Sequence, residues 1–489
     1  MKELADVALD AAKGKGASYA DIRINRFKRE FIFSREDRIQ NTVSLDAFGF
    51  GVRVLVDGVW GFAAASKVDM DTIARMAVAA TDTAKANKIL QKDPVVLVPV
   101  PAVNDTWQTP ITKNPFRVST RVKADLLLAI NAAAMKNGAN FVNSAIFAVE
   151  EDKYFASTDG SYISQLLTRV WPTFQVTCVD KTSGKFETRA SLSTPIGTGW
   201  EYVEGYPLVD EAGRAAEQCK QKLAAKSVEP GKKDLILSPE HMWLTIHESV
   251  GHATELDRAL GYEANFAGTS FVTTDKLGKM QYGSKLMNIV GDRTQYKGLA
   301  TCGYDDDGIK TTSFDIVKDG LFVGYQTIRE QNARFKSLGE TKLKGCCYAD
   351  NYSSIPFQRM PNVSLKPHDW NGKKVGWEEL IADVKDGVLI EGAGSFSIDQ
   401  QRYNFQFGGQ VFWEIKDGKK TQMLRDVAYQ GKTPDFWASL DAIGSDHYYQ
   451  LGGSYFDGKG QPVQTNSVSH GASWCRFRNQ NVINTGRKI

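Results

Sequence analysis

His247-Glu248-Ser249-Val250-Gly251-His252 lies just past mid-chain and continues into Ala253-Thr254-Glu255-Leu256-Asp257. The 489-residue sequence has six histidines, and two of them flank a glutamate within this stretch. Two imidazoles suited to a Zn²⁺-like ion, with a carboxylate able to take a proton from activated water, are the ingredients of a hydrolytic metal site. The residues upstream indicate how the stretch is presented. Leu235-Ile236-Leu237 reads as a buried strand. Ser238-Pro239-Glu240 supplies an N-cap hydroxyl, a proline at the first helical position and an acid in the first turn. Met242, Ile246, Val250, Ala253 and Leu256 then recur at helical spacing, with Gly261 as a stop. A single helix of about five turns is therefore expected to carry both histidines.

Their spacing is the difficulty. On a regular α-helix, residues i and i+4 lie about 40° apart, whereas i and i+5 lie about 140° apart. Two histidines so placed cannot chelate one ion. A π-type bulge brings i and i+5 onto one face, and Gly251 makes the backbone pliable there. The expectation is a local distortion between His247 and His252. The plain alternative is an ordinary helix with His247 exposed and His252 bonded to Glu255.

Outward from this stretch the chain reads as α+β. Helix 1–13 precedes alternating segments (Ile22/Ile24, Phe31/Phe33, Val43 to Val56), a hairpin turn at Asp57-Gly58, and helix 70–87. Residues 93–115 carry five prolines and read as an extended surface connection. Helix 119–136, a hairpin turning at Asp159-Gly160-Ser161 and amphipathic helix 208–226 follow. Past residue 265 the sequence is strand-rich, with turn signals at Asp319-Gly320, Asp386-Gly387 and Asp417-Gly418. The organisation expected is an N-terminal strand-meander and helix domain (1–200), a helix and connection (201–232), and a mostly β C-terminal domain (233–489). The last, a curved sheet or barrel-like unit, carries the metal-site helix.

Composition excludes several classes. Hydrophobic content of 42% and charged content of 24% are ordinary for a globular enzyme. A net charge of +3, without a basic stripe, gives no support to nucleic-acid binding. No stretch approaches the roughly 18 apolar residues of a membrane span. The first residues form an amphipathic helix start without a secretory core, so a cytoplasmic protein is expected, although removal of an export signal would leave the same residues. Six cysteines in so long a chain do not make a disulfide framework, and Cys346-Cys347 reads as a buried pair. Asp305-Asp306-Asp307-Gly308 lacks the spaced oxygens of a calcium loop and reads as an acidic turn.

The pattern His247-Glu248-x-x-Gly251-His252-x-x-Glu255-x-Asp257 resembles the signature of the TldD/PmbA metallopeptidases, also called modulators of DNA gyrase. Phe48-Gly49-Phe50-Gly51-Val52-Arg53-Val54, Tyr304 to Gly308, Pro356 to Asn362 and Gly458-Lys459-Gly460-Gln461-Pro462 resemble further blocks of the family in its order. The resemblance spans nearly the whole chain, and the histidine motif marks the catalytic, TldD-like branch. It implies a zinc-dependent peptidase acting on peptides or unstructured segments in an internal cleft, and a dimer with itself or with a related non-catalytic subunit. Glu248 would be the general base and His247 and His252 metal ligands.

The resemblance puts the third ligand at a cysteine just before the Gly-Lys block, where this sequence has Asp457. Cys475 and His470 are the other candidates, since zinc accepts O, S and N donors. Another ion becomes possible with a His₂Asp set. Glu255 and Asp257 are candidates for fixing a ligand histidine's tautomer. Arg359 and Asn362 are candidates for binding substrate backbone or for a structural place at a sheet edge. Two other functions compete: a peptide-binding scaffold that has lost its third ligand and supports an active sibling, and a metal-dependent small-molecule amidase.

Overall fold

The computed structural model describes residues 1–336, 339 and 342–486. Helix α1 (Lys2–Gly14) leads into the meander β1 (Tyr19–Arg35), β2 (Arg38–Val56) and β3 (Val59–Ala65), followed by α2 (Met70–Asn87). The β2–β3 turn is Asp57-Gly58, with φ of 50° and 79°, the left-handed pair that a tight two-residue hairpin requires. Beyond α3 (Thr120–Lys136), the long hairpin β5 (Phe141–Ser157) and β6 (Tyr162–Val179) completes a seven-stranded sheet. Its order is β3–β2–β1–β5–β6–β4, where β4 is Asn104–Gln108, with β7 (Phe186–Ala190) also on β6. The edge strand β4 (Asn104–Gln108) corrects the expectation for residues 93–115. Its five residues contain no proline, so their N–H groups remain free to pair in parallel with Tyr162–Leu166 of β6.

Side-chain alternation on β1 explains how this sheet meets the rest of the chain. Ile22, Ile24 and Ile32 face one side, where α1, α2, α3 and α4 (Leu208–Ala224) cover the sheet. Asp21, Arg23, Asn25 and Phe27 on the opposite side are also buried, under residues from the second half of the chain. Arg23 donates to the Ser354 carbonyl at 2.6 Å, and Arg169 to the Leu299 carbonyl at 2.6 Å.

The second half is built around a closed ring of five strands. These are β8 (Gly231–Leu237), β12 (Asp386–Ile398), β13 (Asn404–Lys416), β15 (Val427–Lys432) and β18 (Cys475–Asn484). Only the β8–β12 pairing is parallel. β14 (Lys419–Arg425) extends β13 through the Asp417-Gly418 turn. Asp386-Gly387 is not a turn: the two residues open β12, opposite Lys416 and Ile415. Its glycine permits close approach instead, because a Cβ there would sit 2.8 Å from the Asp234 carbonyl. A smaller sheet holds β9 (Ile289–Asp292), β10 (Ser313–Lys318) and β11 (Asn362–Leu365). Beside it lies the separate hairpin β16 (Gln450–Lys459) and β17 (Gln464–Ala472).

Strand β8 runs through Ser238 into helix α5 (Pro239–Ile246), which is buried between the ring and the β16–β17 hairpin. His241 and Thr245 bond the Tyr429 hydroxyl on the ring side at 2.9 and 3.0 Å. On the hairpin side a Cβ at Gly452 would lie 2.4 Å from Trp243, so glycine sets the depth of packing. All six cysteines are buried and free. Among the described residues no helix is long and apolar enough to cross a membrane.

Candidate metal centre

The backbone distorts where the histidine spacing requires it. Helix α5 ends at Ile246, His247–Gly251 form one π turn, and His252–Thr254 form a 3₁₀ turn. The five-turn helix expected from the apolar spacing is thus interrupted. Glu255 is extended (ψ 121°) before the short α6 (Leu256–Ala259), and the chain turns at Gly261 with φ +85°. Carbonyls released by these irregular turns find partners elsewhere. Tyr282 donates to the Ser249 carbonyl at 2.5 Å, Ser270 to that of Ala253 at 2.5 Å, and Gln326 to that of Gly251 at 2.5 Å. Gly251 itself has ordinary right-handed geometry (φ −52°), so pliability is not its role. A Cβ there would meet the Met360 sulfur at 2.6 Å; the glycine makes room.

With the π turn in place, the imidazoles of His247 and His252 lie 4.6 Å apart between centroids. Both point Nε2 at one oxygen: Oδ1 of Asp457 is 3.4 Å from His247 and 3.6 Å from His252. Zinc bonds of about 2.1 Å in tetrahedral geometry would separate their ligands by about 3.4 Å, so an ion fits among these three atoms. Asp457 comes from β16 and is pinned by Arg359, which donates to its Oδ2 at 3.1 Å and its carbonyl at 2.6 Å.

The remaining ring nitrogens are already used. His470 Nδ1 donates to the Val363 carbonyl at 2.8 Å, leaving its Nε2 to accept from His247 Nδ1 at 2.8 Å. Burial and the neighbouring His247 push the His470 pKa well below the ordinary value, which keeps it the neutral acceptor. His252 Nδ1 donates to Glu255 Oε2 at 3.0 Å. With each Nδ1 so committed, Nε2 is the nitrogen of either ring left to face the common point. Burial would raise the Asp457 pKa, but the two histidines facing it hold it well below the carboxylate range.

A second layer fixes Glu255. Lys459, two residues beyond Asp457 on the same strand face, bonds Glu255 at 3.1 Å, Asp257 at 2.9 Å and the Gln358 side chain at 2.7 Å. Although burial opposes ionisation of Glu255, Lys459, His252 and Arg258 depress its pKa. Glu248 is only 5% exposed and bonds the guanidinium of Arg402 in the β12–β13 loop.

Of the candidates for completing the ligand set, Asp457 joins the histidines and the other two do not. His470 spends both nitrogens in the hydrogen-bond chain. Cys475 opens ring strand β18 opposite Leu237, its Sγ bonded to the Ser473 carbonyl at 3.4 Å and its pKa raised by burial. Arg359 and Asn362 are fully buried, Arg359 held by Asp457 and Gln464 and Asn362 by Ala300 and Ser469, so neither reaches substrate. Two contributors were missed in the sequence. Lys459 stood in a block that carried only a resemblance; Arg402 carries no local signal, since the short β12–β13 turn brings it to Glu248 from 154 residues away.

The chain matches the PmbA/TldA metallopeptidase C-terminal domain over residues 230–483, domain 1 over 20–84 and the central domain over 113–220. It is 28% identical to a metalloprotease of Methanocaldococcus jannaschii, covering 91% of this chain and 94% of that one. It is 24% identical to a zinc metalloprotease TldD homologue of Saccharolobus solfataricus, covering 96% and 98%. The fold is also that of TldE from Thermococcus kodakarensis, with a TM-score of 0.74, 14% identity and coverage of 98% and 99%. The chain belongs to the PmbA/TldD metallopeptidase family.

Proposed function

We propose that this member of the family is a zinc-dependent peptidase that cleaves peptides or unstructured segments in an internal cleft. In this proposal His247, His252 and Asp457 are the ligands and Glu248 is the general base. The carrying observation is the convergence of the His247 and His252 Nε2 atoms and one Asp457 oxygen on a common point, with the Nδ1 of each ring bonded elsewhere. When bound, zinc supplies Lewis acidity, making water nucleophilic near neutral pH and polarising the scissile carbonyl. Glu248 takes the proton from the attacking water and returns it to the leaving amine. Arg402 orients the Glu248 carboxylate, and His470 and Glu255 keep the two ligand rings in the required tautomer.

The test combines elemental analysis with cleavage of an unfolded polypeptide such as casein. About one zinc per chain is expected in the wild type and none in His252→Ala. Glu248→Gln is expected to retain zinc and lose roughly 10²- to 10⁴-fold in cleavage rate. No zinc in the wild type after reloading would sink the proposal and leave the peptide-binding scaffold. We further propose a dimer, either with a second copy or with a related non-catalytic subunit. The support is the family resemblance, and a monomeric mass by light scattering, alone and with such a subunit, would overturn it.

A further inference from the structure

The loop after α6 brings one more carboxylate toward the metal centre. Glu263 is 7% exposed, and its buried Oε2 has no hydrogen-bond partner. Buried carboxylates ordinarily find a cation or several N–H groups. The nearby cations are taken: Lys459 holds Glu255 and Asp257, and Arg258 donates to the Ala267 carbonyl and lies 3.5 Å from Glu255. Burial raises the Glu263 pKa, and none of these cations hydrogen-bonds its carboxyl group.

Glu263 lines a cleft of about 560 Å³. Its walls come from segments that also build the metal centre: residues 262–266 beyond α6, residues 460–464 after Asp457 and Lys459, and residues 353–357 before Arg359. Phe357 is shared, its ring 5.7 Å from the Lys459 ammonium and 5.6 Å from the Arg359 guanidinium. Phe62, Tyr262 and Phe266 add aromatic surface, and the last two are 53% and 42% exposed at the rim. Arg334 bonds the Tyr262 hydroxyl, but its own charge is paired with Asp93 at 2.7 Å.

We propose that this cleft is a substrate subsite for a lysine or arginine side chain, selected by Glu263. A long apolar stem lies along aromatic walls, the cation meets their ring faces, and its N–H groups supply the donors that Glu263 lacks. A terminal amino group alone would leave most of that wall unfilled. That the cation belongs to a peptide rests on the peptidase proposal.

The test measures binding to zinc-loaded Glu248→Gln protein by calorimetry. The probes are N-acetylated, C-amidated alanine–glycine hexapeptides with one central lysine, norleucine or glutamate. The lysine peptide is expected to bind about ten- to hundredfold tighter than the norleucine peptide. Adding Glu263→Gln is expected to abolish that preference, and Glu263→Asp to retain part of it. Should Glu263→Gln fail to fold, Phe266→Ala at the exposed rim is expected to reduce the preference severalfold. Equal affinities, no binding of any peptide, a preference that survives Glu263→Gln, or tighter binding of a lysine-free peptide with a free amino terminus would overturn the proposal. A preference with no cleavage by the wild type would remove the peptidase proposal and leave the cation subsite standing. Cleavage without preference would do the reverse.

Discussion

Asp305, Asp306 and Asp307 are as deeply buried as Asp457, yet their surroundings differ in kind. In the triple-aspartate turn each carboxylate has donors in contact with it. Lys153 bonds Asp306 at 3.2 Å, Arg53 bonds Asp307 at 2.7 Å, and the backbone N–H groups of Cys347, Asp307 and Ile309 bond Asp305 at 2.9–3.0 Å. Those cations come from the N-terminal sheet, so the turn joins the two halves of the chain. Around Asp457, Oδ2 is pinned by Arg359 while Oδ1 faces two imidazole Nε2 atoms that converge on the same point. Burial and acid content do not separate a structural cluster from a metal site. The direction of the unspent lone pairs does.

Substitution in the two clusters should therefore give opposite signatures. Asp306→Ala removes the carboxylate beside buried Arg23, leaves Lys153 only Glu151 at 3.6 Å, and is expected to cost about 3–5 kcal/mol of stability by chemical denaturation. Zinc bound per folded chain should not change. Asp457→Ala should remove the zinc while the chain stays folded, since Arg359 keeps its bonds to the Asp457 and Gln464 carbonyls. If both variants lose zinc, or neither does, the distinction fails.

A smaller effect should come from Lys459→Met, which frees Glu255 without touching a ligand. Zinc affinity by competition with a chelator is expected to fall roughly 10- to 100-fold, as for other supports of ligand histidines. An unchanged affinity would mean that His252 is oriented by packing alone. The smallest effect belongs to Cys475→Ala, which should leave zinc content at the wild-type level. Loss of zinc there would reopen the thiolate alternative and contradict the geometry of β18.

The site was legible wherever local rules apply. Period 3.6 and Pro239 at the first helical position located α5, although the Ser238 hydroxyl expected to cap it makes no capping bond, and the i,i+5 spacing demanded the π turn. Asp57-Gly58 and Asp417-Gly418 read correctly because a left-handed pair has few alternatives to glycine. Asp386-Gly387 misled because glycine there serves close packing, which carries the same letter. Reading Asp305-Asp306-Asp307 as an acidic turn gave the turn but missed its burial, because the cations that permit it lie some 150 to 280 residues upstream.

By itself the sequence determined the helix start, the distortion between His247 and His252, the glutamate proposed as general base and the candidates for a third ligand. These depend on spacing within a few residues, which backbone geometry converts directly into position. Only the tertiary structure decided among Asp457, Cys475 and His470, because the choice turns on which side chain of β16, β17 or β18 faces the π turn. The structure alone supplied Arg402, Lys459 and the unpaired carboxylate of Glu263 as well. Hydrogen bonds and charges act through a few ångströms of space, and separation along the chain does not encode that distance.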